Sequence, residues 1–133
     1  MTGFSREGAA ERVLWSLGMR GKPHQVRLLL DLIDRREAFT APELVQRCGV
    51  SRGLVYPFIA GLRRRGVVFS LPHPDEPGDW AEIYGRVVLR RKRRELHIIG
   101  PVPLALNMGR LRTLAADGCD DLEALRVLKE AEV

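Results

Sequence analysis

The chain is short of the residues that build most catalytic and metal centres. It has two cysteines, Cys48 and Cys119, and three histidines, His24, His73 and His97. A zinc site wants four clustered Cys or His ligands at characteristic spacing, and these five stand singly, with no CxxC pair. Cys48 reads as a buried, reduced thiol. GxSxG, the P-loop, HExxH and GxGxxG are all missing, so neither catalysis nor a cofactor is expected. No uncharged apolar run approaches the ~20 residues of a membrane helix. Arg6, Glu7, Glu11 and Arg12 precede any apolar stretch, which does not suit a signal peptide. A cytoplasmic protein that does not enter a membrane is expected. Asn and Gln are nearly absent, at Asn107, Gln25 and Gln46 only.

What remains is compact and basic. At 133 residues and 15.0 kDa there is room for one domain with a short appended element. Net charge is +5, and 19 of the 22 basic residues are Arg. Residues 117–133 carry a net −4, which leaves +9 on residues 1–116. Arg63, Arg64 and Arg65 form one basic cluster; Arg86, Arg90, Arg91, Lys92, Arg93 and Arg94 form a second. Such runs are either solvated faces or the footprint of a polyanion, whose binding would depend on salt.

Apolar spacing predicts helices over 7–18 and 24–37. Ala10, Val13, Leu14 and Leu17 stripe the first; Val26, Leu29, Leu30 and Ile33 stripe the second. A third helix over 39–48 has a complete start. Thr40 is its N-cap with Glu43 three residues on, Pro42 lies in the first turn, and Phe39 is placed to staple onto Leu44. Cys48-Gly49 ends it, and Ser51 caps a fourth helix that runs to Arg65 with Val55, Phe58, Ile59 and Leu62 inward. Pro57 removes one hydrogen bond from that helix.

After Gly66 the period becomes that of strand at 67–71, then a loop at 72–79, a second strand at 83–89 and a short third at 96–99. Trp80 and Tyr84 read as packing near that hairpin, and Trp15 as a dimer or domain contact. Two C-terminal helices are expected at about 103–116 and 121–132, the second capped by Asp120 with Glu123. The expected fold class is α+β, mostly α.

FTAPELVQRCGVSRGLVYPFIAGLRRRGVV, followed by strands, resembles a winged helix-turn-helix domain with a β-hairpin wing and extra N- and C-terminal helices. Within it, Gly53, Tyr56, Pro57, Phe58, Leu62 and Gly66 resemble the third helix of PadR-like transcriptional regulators. That resemblance implies a homodimeric DNA-binding repressor, with 1–101 as the DNA-binding domain and 102–133 as helices that dimerise. Leu122, Leu125, Val127 and Leu128 would supply the contact.

The fourth helix would then lie in the major groove. Its outer face holds Gly53, Pro57, Ala60 and Arg64, flanked by Arg52, Tyr56 and Arg63, and is poor in hydrogen-bonding groups. Arg52 and Arg64, with Tyr56 or Arg63, are left to address guanine or phosphate, while Pro57 and Ala60 suit a thymine methyl. Asp75, Glu76 and Asp79 would repel DNA from the wing loop, so Arg86, Arg90, Arg91, Lys92, Arg93 and Arg94 form the second expected DNA surface. The competing reading is a winged-helix module that binds another protein within a transcription, replication or partition assembly.

Overall fold

A computed structural model describes residues 5–71, 79–83, 86–90 and 96–131, with side chains over 5–71 and 101–131. The described residues are mostly helical. The helices are α1 (Arg6–Ser16), α2 (Pro23–Arg35), α3 (Ala41–Cys48), α4 (Arg52–Arg64), α5 (Met108–Gly118) and α6 (Leu122–Glu130). The strands are β1 (Val68–Ser70), β2 (Asp79–Ile83), β3 (Arg86–Arg90), β4 (Leu96–Pro101) and β5 (Leu104–Leu106).

The stripes read from the sequence face one core. Ala10, Val13 and Leu14 of α1, Leu29 and Ile33 of α2, Leu44 of α3 and Val55, Phe58, Ile59 and Leu62 of α4 are all buried in it. Among the described residues no polar or charged side chain is buried, so apolar contact carries the packing. α2 carries Arg35 beside Asp31, and Arg47 of α3 reaches the same carboxylate at 2.6 Å. That carboxylate ties α2 to α3.

The start of α3 forms as its residues dictate. Thr40 Oγ1 accepts from the Glu43 N–H at 3.3 Å. Phe39 and Leu44 are both buried beside it. Thr40→Ala is expected to cost about 1 kcal/mol of unfolding free energy, read by urea denaturation. α3 stops where Gly49 takes a left-handed φ of 63°, a conformation that favours glycine. Gly49, Val50 and Ser51 then turn the chain into α4.

Several expectations are corrected by the backbone ladder. The segment after Gly66 does not pair with the strand that follows it. β1 pairs antiparallel with β5, Ser70 opposite Leu104. Phe39 takes the other edge of β5, exchanging hydrogen bonds of 2.8 and 2.7 Å with Leu104. Residues 104–106 are therefore strand rather than the first turn of a helix, because Leu104 spends its N–H and C=O sideways. Asn107 caps α5 instead, its side chain accepting from the Arg110 N–H at 3.0 Å.

Two strands, β2 and β3, stand in place of the single strand expected at 83–89, paired from Ile83 opposite Arg86 outward. Gly85 interrupts the apolar run there, and glycine is a weak strand former. β4 adds to β3 to complete a three-stranded antiparallel sheet. α6 is capped by Asp121 rather than Asp120, with Asp121 Oδ1 accepting from the Glu123 N–H at 2.9 Å.

Residues 102–131 do not pack apart from the rest. Val102, Leu104, Leu111, Ala115, Ala124, Val127 and Leu128 belong to the same core as α1 to α4. Arg12 of α1 pairs with Asp121 and with Glu123, which clasps α1 to the start of α6. Three of the four positions expected at a dimer contact are thus covered within one chain, Leu125 in part; Leu122 is 80% exposed.

Candidate nucleic-acid interface

The site forms where the α1–α2 turn meets α4. α1 ends at Ser16, and the chain turns through Gly18, Met19, Arg20 and Gly21 before Lys22 and Pro23 open α2. Gly21 has φ 69°, and a Cβ there would lie 2.9 Å from both Glu11 Cγ and Trp15 Nε1. Only glycine fits this close turn against α1. Trp15 Nε1–H donates to the Arg20 carbonyl at 2.9 Å. Trp15 therefore braces the turn while remaining 54% exposed.

The turn and α4 enclose an open groove of about 380 Å3. Gly53, Leu54, Pro57, Gly61 and Arg64 of α4 form one wall, and Arg20, Lys22 and His24 stand on the other. Arg65 also borders it. Among the described residues, no carboxylate lines the groove. Among the described residues, Arg20, Lys22, Arg52 and Arg64 have no carboxylate partner.

The helix ends beside the groove sharpen its charge. A helix N-terminus carries a partial positive charge and favours an acid in its first turn. α1, α3 and α6 follow that rule with Glu7, Glu43 and Glu123. α2, α4 and α5 have no acid in the first turn; at the two beside the groove, Lys22 precedes α2 and Arg52 opens α4. A cation at a helix N-terminus costs about 0.3–1 kcal/mol where it stands uncompensated. The ends of α2 and α4 therefore favour an anion from outside the chain, and the Ser51 side chain does not cap α4.

The expected site residues divide by what they already hold. Arg64 lines the groove on the exposed side of α4. Arg52 lies over the Tyr56 ring, 5.5 Å from its centroid, a cation–π geometry. Tyr56 and Arg63 stand on the other flank of α4, facing Ala41, Val102 and Leu104. Arg63 donates to Ser70 Oγ at 2.7 Å, so it ties α4 to β1. Arg65 donates to the Leu17 carbonyl at 2.6 Å and the Gly61 carbonyl at 2.8 Å; it locks α4 to the end of α1 while adding charge to the groove.

Arg86 and Arg90 are the end residues of β3, opposite Ile83 and Asp79. Arg91, Lys92, Arg93 and Arg94 lie outside the described residues, as does Tyr84. Trp80 stands opposite Leu89 in the sheet.

Arg20, Lys22 and His24 are not singled out by the sequence, since two separated cations, Arg20 and Lys22, in GMRGKPH are no cluster. Lys22 before a helix-opening Pro23, with no acid in the turn that follows, is the signal that was there. Elsewhere, burial pushes the Cys48 thiol up, with Asp31 adding to the effect, so Cys48 is protonated near neutral pH and a poor nucleophile. Comparison of the chain with protein-family models, with curated proteins and with solved structures found no match.

Proposed function

We propose that this protein binds double-stranded DNA and acts as a transcriptional regulator of the winged-helix kind. The observation that carries the reading is the groove beside α4, bordered by Arg20, Lys22, Arg64 and Arg65 and, among the described residues, by no carboxylate. A phosphate backbone is the common polyanion such a surface fits.

The chain order supports it. α2, α3 and α4 are followed by β1, an excursion through β2, β3 and β4, and a return along β5 beside β1 and Phe39. This order is compatible with the helix, helix-turn-helix, strand and wing of a winged helix, the excursion standing for an enlarged wing. In this reading α4 enters the major groove, and the turn before α2 grips the adjacent backbone. The PadR-like spacing of Gly53, Tyr56, Pro57 and Gly66 agrees with α4 as the reading helix. A homodimer would use surface other than the buried face of α6.

The test is a binding titration on a random-sequence 30-base-pair duplex. Each phosphate neutralised contributes a slope of about −0.9 in log K against log salt. About four such contacts imply roughly a hundredfold loss of affinity between 50 and 200 mM salt. An affinity that does not change with salt, or no binding at 50 mM, would move the assignment to a protein-binding module.

A further inference from the structure

We propose that α4 recognises the 5-methyl group of thymine through Leu54 and Pro57. This rests on the DNA-binding reading and specifies what the groove selects. On the wall that α4 offers to the groove, Gly53, Leu54 and Pro57 precede Arg64. Leu54 is 44% exposed, and Gly53 and Pro57 are exposed with it. None of the three carries a side-chain donor or acceptor, so this stretch cannot read a base by hydrogen bonds from its side chains. What it offers is apolar contact, and the apolar feature on base edges in the major groove is the thymine methyl.

Two further observations fit this occupant. A Cβ built on Gly53 meets nothing within 4 Å. Glycine is therefore not required there by packing within the chain, although alanine would favour a helix by about 1 kcal/mol. A bare backbone at that point lets the helix approach a base edge closely. The apolar wall is also bracketed by charge, with Arg52 at the start of α4, Arg64 near its end, and Arg20 and Lys22 across the groove. An apolar strip between rows of cations matches a base edge between two phosphate backbones.

The experiment compares the full chain on two 30-base-pair duplexes at one salt concentration: alternating dA-dT, and alternating dA-dU, which lacks only the methyl groups. The phosphate charge is identical, so the shared electrostatic contribution cancels. The wild-type protein is expected to bind the dA-dT duplex about three- to tenfold more tightly, the scale of burying one to a few methyl groups. Leu54→Ser, a change at an exposed position with the fold checked by circular dichroism, is expected to bind both duplexes at the wild-type dA-dU affinity. Equal wild-type affinity for the two duplexes overturns the proposal while leaving the DNA-binding reading in place. Retention of the preference by Leu54→Ser overturns it also. Failure to bind either duplex overturns both readings and assigns the exposed apolar wall to a protein partner.

Discussion

Arg20→Glu combined with Lys22→Glu is expected to lower affinity for duplex DNA about a thousandfold at 50 mM salt. Two unit charges at contact distance in water interact by about 1 kcal/mol. Reversal replaces attraction with repulsion, about 2 kcal/mol at each position and about 4 kcal/mol for the pair. Neither side chain is buried, and the structural bond in this turn runs from Trp15 to the Arg20 backbone carbonyl. The fold should therefore survive the change. The control is Arg126→Glu with Lys129→Glu on exposed positions of α6, which changes net charge by the same amount far along the chain from the groove residues. If the two pairs weaken binding equally, net charge is acting rather than the groove, and the site is misplaced. The salt slope of the Arg20/Lys22 variant should also be shallower by about 2.

Leu62→Ala is expected to destabilise the protein by about 2–5 kcal/mol, the range for a leucine removed from a packed core. Leu62 is 0% exposed and sits on the buried side of α4, directly before the basic Arg63 and Arg64. For a chain of this size each kcal/mol lowers Tm by about 3–5 °C, so thermal melts should fall by roughly 10–20 °C. The matching change at Leu122, which is 80% exposed, should stay within about 0.5 kcal/mol. A Leu122→Ala variant that melts far lower, by an amount that depends on protein concentration, would show that α6 is covered by a second copy after all.

Elements defined by local chemistry were legible in the sequence. Thr40, Glu43 and Gly49 set the ends of α3 through contacts within a few residues, and the stripes of α1, α2 and α4 follow from helical period. The strand partners were not legible. Residues 104–106 spell a good first helical turn, and only the ladder to Val68–Ser70 and the bridge to Phe39 make them extended. A long-range hydrogen bond outweighs local propensity there, and no short window contains both partners. The candidate site divides in the same way. Arg64 could be placed on the outer face of α4, and Arg52 on its flank, from spacing alone. Arg20 and Lys22 join them only because Gly21 turns the chain against α1, a contact with Glu11 and Trp15 that sequence distance hides.

The pairing of Ser70 with Leu104 also makes the residues between them modular. The excursion leaves and re-enters the body at two points held side by side by β1 and β5, whatever lies beyond them. For a flexible loop, doubling or halving the length changes the closure entropy by only about 0.6 kcal/mol, less than one buried leucine contributes. The helical body can thus be left intact while the excursion is lengthened, shortened or exchanged. Reach and partner preference at that end of the molecule can drift independently of the groove beside α4, and a short turn grafted between Leu71 and Val102, which keeps Val102 in the core, would isolate the helical body for study by itself.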